Sequence, residues 1–314
     1  MGNYGRDEIK MGDQKLTNTD FELAEEVTAQ WFYTYAGFDG VLGISPSSSA
    51  WKAFTADLSR EESVMGLRLP REYSRRWPGE TPDLGALTLG GIDPDFEDAT
   101  FLDLPLARGG RSWGTPLYTL DYYNATHRRN VMTPGGARVR LVTSDPFLTL
   151  PKRIFHELGA VIEREATGYG HFGLPLFPCS VRDILPYFLL SMGDESTGPP
   201  PGPTPRLNIT AYDYAIEMSE DLGTGTCMLG AVPREEGDDS HWADVDLGWL
   251  ILRKFYTVLE AKETKDQWGK PGKVEGRIRC ESCTISSLLN RIADRYSGPN
   301  LSISRYLERH YVVT

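Results

Sequence analysis

Histidine, cysteine and basic charge are scarce in this chain, and each scarcity closes off a class of function. Its 314 residues include 5 His and 4 Cys. The histidines, His127, His156, His171, His241 and His310, stand without ligand spacing and read as surface or helix-face residues. Cys280-Glu281-Ser282-Cys283 has the spacing of a zinc or redox motif, but four-coordinate zinc needs a second pair or a histidine set, and none follows. The pair reads as a local disulfide or as two free thiols, and no metal and no cofactor is expected. Lys and Arg number 33 against 44 Asp and Glu, a formal charge of −11. A surface of that sign repels nucleic acid and anionic membranes, so neither is expected as a partner. No apolar run is long enough to cross a bilayer. Met1-Gly2-Asn3-Tyr4-Gly5-Arg6-Asp7 has neither the basic nor the apolar region of a signal peptide.

What is abundant is punctuation. The 32 Gly and 21 Pro favour many short strands and turns over long helices. Residues 5–30 alternate apolar and polar side chains around Met11-Gly12-Asp13, which predicts a hairpin. Residues 46–80 are polar and irregular, with Trp51, Phe54 and Leu58 spaced for a short amphipathic helix. Thr81 to Asp103 reads as strand, turn, strand. Pro151 opens a helix whose face is Ile154, Phe155, Leu158, Val161 and Ile162. Gly198-Pro199-Pro200-Pro201-Gly202-Pro203 can continue neither helix nor sheet and reads as a surface loop.

Several motifs then follow in a fixed order: Phe38-Asp39-Gly40-Val41-Leu42-Gly43-Ile44; Leu89-Gly90-Gly91-Ile92-Asp93; Leu141-Val142-Thr143-Ser144-Asp145-Pro146-Phe147-Leu148-Thr149-Leu150-Pro151; Cys179 and Cys227; and Phe255-Tyr256-Thr257-Val258-Leu259-Glu260. The series resembles the pepsin-like aspartic peptidases. The first run is similar to the Phe-Asp-Gly-Ile-Leu-Gly-Leu that closes their N-terminal lobe core, and the second to the Leu-Gly-Gly-Ile-Asp that leads into their inter-lobe sheet. The third is similar to the segment holding their second catalytic aspartate, and the last to a Tyr-Tyr-Thr-Val-Phe-Asp strand. Five ordered landmarks over residues 5–262 make coincidence a poor explanation.

The resemblance implies an all-β, bilobal pepsin-like fold with an incomplete N-terminal lobe. Residues 1–103 would be the remnant of that lobe with inter-lobe strands, and 104–262 the C-terminal lobe. Residues 263–314 would be a disordered tail without family resemblance. It also implies a Cys179–Cys227 disulfide, a peptide or protein substrate, and a secretory or extracellular location. The sequons at Asn124, Asn208 and Asn300 suit that location as glycosylation candidates.

Where the family carries Asp-Thr-Gly or Asp-Ser-Gly, this chain has Val142-Thr143-Ser144. The family's chemistry needs two facing carboxylates that share one proton and hold a water, their repulsion making one the base and the other the acid. An isopropyl group can do neither job. The first catalytic aspartate and the flap tyrosine of the family fall before the Phe-Asp-Gly run, where only 37 residues stand here. Gly5 to Gly12 resembles the strand after the flap, so Tyr4 is not the flap residue. Asp145 is the nearby carboxylate that could substitute; ahead of Pro146 it reads instead as a turn or helix-cap aspartate. Asp246-Leu247-Gly248 stands where the family runs two apolar residues and a glycine beneath the second catalytic loop. The expectation is an aspartic endopeptidase homologue that is inactive as written. The alternatives are a non-catalytic module binding peptides or a protein partner, or a gene-model fragment.

Overall fold

The computed structural model describes residues 2–12, 14–24, 42–56, 58–59, 62–70, 85–107, 112–123, 128–132, 136–170, 173–193, 205–218, 225–235, 243–265 and 271–281. The 38–41 part of the Phe-Asp-Gly run, the 198–203 loop, Asn124, Asn300 and Cys283 lie outside them, as do His127, His171, His241 and His310.

The expected hairpin is formed by β1 (Gly2–Met11) and β2 (Gln14–Ala24), and Gly12 turns the chain at φ +57°. Leu16 and Thr19 of β2 are buried, whereas Arg6 with Asp20 (2.7 Å) and Glu8 with Lys15 (3.1 Å) pair in solvent. Such exposed pairs contribute at most about 1 kcal/mol, so the hairpin is held by its apolar face. That face meets α1 (Ser49–Thr55), whose first turn is capped by the Ser48 hydroxyl accepting from the Trp51 amide at 3.1 Å. Trp51 and Phe54 are buried, as their spacing predicts. The Trp51 indole N–H donates to the Ala261 carbonyl at 2.9 Å, and its ring meets Trp113 edge to face. Two large aromatics with satisfied polar atoms thereby tie the first hundred residues to the last strands.

Those strands build a five-stranded antiparallel sheet from both ends of the chain. Its order is β4 (Ala86–Leu89), β3 (Val64–Arg68), β18 (Tyr256–Lys265), β19 (Pro271–Glu281), β5 (Phe101–Pro105). The strand, turn, strand expected over 81–103 is β4, a turn ending in a 3-10 helix at Pro94–Phe96, and β5. β3 was not legible, because Val-Met-Gly-Leu-Arg lacks alternation. Its Gly66 lies where a Cβ would collide with the Tyr256 hydroxyl, which in turn accepts from the Asp93 amide at 2.7 Å.

The expectation of a disordered tail from 263 is corrected for residues 263–265 and 271–281, while 282–314 lie outside the described residues. β18 runs on to Lys265, and β19 pairs along it from Tyr256↔Glu281 to Lys265↔Pro271. The physical reason is in the sequence of β19: Val274, Gly276, Ile278 and Cys280 alternate with Lys273, Glu275, Arg277, Arg279 and Glu281. Ile278 and Cys280 are buried, and Cys280 is held in a disulfide. On β18, buried Glu260 receives Arg277 Nε at 2.7 Å and Arg279 Nη2 at 3.5 Å, so the carboxylate is compensated.

Residues 114–252 form the other body of the molecule. An eight-stranded sheet runs in the order β13 (Arg206–Ile209), β12 (Tyr187–Met192), β6 (Gly114–Tyr123), β8 (Arg138–Val142), β17 (Val245–Gly248), β9 (Leu148–Leu150), β16 (Ala231–Pro233), with β7 (Arg128–Met132) also on β6. A four-stranded sheet orders β10 (Gly168–Tyr169), β11 (Pro175–Pro178), β15 (Thr226–Leu229) and β14 (Ala215–Glu217). The helix expected after Pro151 is α2 (Lys152–Glu165), and it buries Ile154, Leu158 and Ile162. Cys179 and Cys227 are bonded, joining the end of β11 to β15. The fold is mostly β, as expected.

Candidate functional site

The degenerate triplet sits where three strands converge. β8 ends at Val142, the chain turns through Thr143 to Phe147, and β9 begins at Leu148. β17 lies between β8 and β9, parallel to the first with Val142 opposite Gly248, and antiparallel to the second with Leu247 opposite Leu148. The loop is stitched to the strand end by three backbone bonds: Gly248 N–H to Phe147 O (3.1 Å), Trp249 N–H to Asp145 O (2.9 Å) and Leu250 N–H to Pro146 O (3.2 Å). The last two donors open the short helix Trp249–Leu252, where they have no partner within their own turn. Gly248 fits under the loop only because it has no side chain. A Cβ there would lie 2.6 Å from Asp145 O, with Pro146 C and Phe147 O closer still.

The loop backbone is thus held from below, and Val142 stands at its head where the resemblance leads one to expect a carboxylate. Val142 is half-buried, Thr143 and Ser144 are exposed. Asp145 is half-buried, and its Oδ1 accepts from the Phe147 amide at 2.9 Å, the geometry of an aspartate turn. Burial pushes its pKa up, against the pull of the Phe147 amide, and the neighbouring Asp246 charge pushes it further.

A carboxylate whose folded pKa lies above its unfolded one binds its proton more tightly when folded. The folded state therefore gains on acidification through that folded pKa and loses as pH rises through it. Asp145→Asn keeps the acceptor for Phe147 and removes the charge. We expect it to raise stability at pH 7 by less than about 1 kcal/mol, solvent screening limiting the gain, and to leave it unchanged near pH 3. Urea midpoints at the two pH values check this; loss of stability at pH 7 would show the charge to be favourable.

Beneath the loop the sequence placed one unexplained carboxylate, Asp246, and the structure surrounds it with arginines that sequence reasoning missed. Arg140, opposite Asp246 in the β8–β17 register, grips it with Nε at 2.6 Å and Nη2 at 2.7 Å. This bidentate contact raises the guanidinium pKa, against desolvation. One step back, fully buried Asp244 accepts from the Arg138 backbone amide (2.7 Å) and from its Nη2 (3.2 Å). Arg234, at the end of β16, donates Nε to the Asp244 carbonyl at 2.8 Å. Its Nη2 lies 2.6 Å from Asp246 Oδ1, close enough for an ion pair but off the direction of a hydrogen bond. The signal that could have found this cluster is Arg138-Val139-Arg140 matched with Asp244-Val245-Asp246.

Of the other candidates, Cys179 and Cys227 are brought together, and Tyr4 is 84% exposed on the hairpin. Asn208 lies on β13 with its side-chain oxygen buried, while Thr210 of the same sequon accepts and donates in a capping box with Asp213. Among the described residues no group of three or more His, Cys, Asp and Glu is arranged to hold a metal, and no helix is long and apolar enough to cross a membrane.

Comparison with known proteins yields a family and a fold. The sequence model of the eukaryotic aspartyl proteases matches residues 1–269. No curated protein matches the sequence. Basic 7S globulin from soybean is similar in structure with a TM-score of 0.56 at 14% identity, over 91% of this chain and 69% of that one. Aspartic proteinase from Irpex lacteus has the same TM-score, 0.56, and the same 14% identity, over 90% of this chain and 78% of that one. At such identity the likeness is one of fold, and it is the pepsin-like, bilobal, all-β fold.

Proposed function

We propose that this chain, which belongs to the eukaryotic aspartyl protease family, does not hydrolyse peptides as written and uses the inherited fold to hold a peptide or protein partner. The observation that carries the reading is Val142 at the head of a loop whose backbone is otherwise kept. A dyad mechanism needs both carboxylates at once, so one empty position is sufficient to stop it. Asp145 does not refill it: its Oδ1 serves the Phe147 amide. Gly248 beneath the loop and the three backbone bonds to it hold the loop in place without a carboxylate at 142, which supports a binding role for the fold. Fold does not fix activity, and the two structural neighbours make the same point, one being named a proteinase and the other a globulin. The family and the Cys179–Cys227 disulfide support passage through an oxidising, secretory compartment.

The test is hydrolysis of a denatured protein by the purified chain at acid pH, with and without a statine-containing peptide that mimics the transition state. No cleavage is expected, because the dyad needs both carboxylates and position 142 is a valine. Statine-sensitive cleavage lost in Asp145→Ala would make Asp145 the catalyst and overturn the reading.

A further inference from the structure

β17 is buried along its whole length, Asp246 included, as is Asp244 just before it, and it is only four residues long. In a strand with one wet face, alternation of apolar and polar side chains sets the register, because a slip by one residue would turn the apolar set to solvent. A strand covered on both faces loses that signal. Yet the register of β17 matters here more than elsewhere, since only Gly248 can lie beneath Asp145, Pro146 and Phe147.

We propose that Arg138–Asp244 and Arg140–Asp246, joined by Arg234, are a register lock: positioning residues that fix β17 against β8 and thereby fix the shape of the loop 142–147. One rung lies in the parallel ladder, Arg140 opposite Asp246, and the other, Arg138 with Asp244, stands one step before the pair Val139 opposite Val245. A slip by one residue places valines against charges and buries both aspartates without partners, which is costly. A slip by two retains one rung and strands the other pair. Arg234 closes the remaining freedom, since its Nε holds the Asp244 carbonyl while its own amide donates to Leu150 O at 2.8 Å, so β16, β9 and β17 are clamped together. The lock also accounts for a carboxylate at 246, where the resemblance leads one to expect an apolar residue.

A register device differs from a mere stabiliser in what its apolar replacement does. Exchanging a buried ion cluster for apolar residues of similar volume commonly leaves stability equal or higher, while breaking one partner is costly. Asp246→Ala is therefore expected to lower Tm by about 10 °C. The triple variant Arg140→Met, Asp246→Leu, Arg234→Met is expected to keep or raise Tm. Amide exchange at Phe147, Gly248, Trp249 and Leu250, measured by hydrogen–deuterium exchange on the whole chain, should nevertheless accelerate at least about tenfold in it, as slipped registers become populated. Unchanged exchange at an unchanged Tm would show that the apolar residues fix the register by themselves, and a triple variant that loses Tm or fails to fold would show a stabilising cluster with no registry role; either overturns the proposal.

Discussion

Gly248→Ala is expected to cost about 3 kcal/mol or more, enough to unfold much of the population of a marginally stable chain. Three backbone atoms, from Asp145, Pro146 and Phe147, occupy the space a methyl group would need, and backbone cannot swing aside as a side-chain tip can. Relief would require lifting the loop off β17 and breaking the three backbone bonds that close it. Gly159 supplies the control. It lies mid-way along α2 with nothing within 4 Å of its Cβ position, so the same substitution there should stabilise by about 0.5–1 kcal/mol. Urea unfolding of the two variants beside the parent decides the matter; equal midpoints for both would mean that the loop yields freely and that Gly248 is not the keystone of this lobe.

Removing the disulfide should rank next. Cys179 and Cys227 are 48 residues apart in sequence, and in the chain-entropy account closing a loop of that size stabilises by about 3–4 kcal/mol. Native pairing already brings the two sulfurs together: Phe177 is opposite Cys227 on β15, and the Cys179 amide donates to Gly225 O at 2.7 Å. Cys179→Ser with Cys227→Ala, the alanine filling a fully buried position, should lower the urea midpoint accordingly and remove the reductant sensitivity that this bridge confers, leaving only that of the Cys280 disulfide. Non-reducing peptide mapping that recovered Cys179 linked to Cys280 or Cys283 would contradict the pairing.

Much of this architecture was legible because its signals are local. The turn at Gly12, the spacing of Trp51 and Phe54, and the apolar stripe behind Pro151 each report their own element, and each element is where they place it. β3 failed for the opposite reason: with Gly66 in its centre it has no pattern of its own, and it is a strand because Tyr256–Glu260 of β18 pairs with it. β19 carried a clear two-residue period that was overlooked once the family resemblance had ended. At the site, valine at position 142 could be read directly, and the resemblance alone leads one to expect a carboxylate there. The partners of Asp246 left only a paired pattern, Arg138-Val139-Arg140 with Asp244-Val245-Asp246, whose 106-residue separation hides the match until β8 and β17 are laid side by side.

The five-stranded sheet also dictates an order of assembly. β3 has only β4 for a neighbour until β18 arrives, and the indole of Trp51 waits for a carbonyl 210 residues further on. Contacts of such separation close late and slowly, since the entropy of the intervening chain is lost before they reward it. During synthesis the hairpin, α1 and the strands up to β5 are therefore made well before the strands that complete their sheet. Residues 114–252 can meanwhile close on themselves, their sheets drawing on no strand outside that span among the described residues. The early segment passes this interval with an open edge and a bare Trp51, which marks it as the part of the nascent polypeptide that a chaperone must shield.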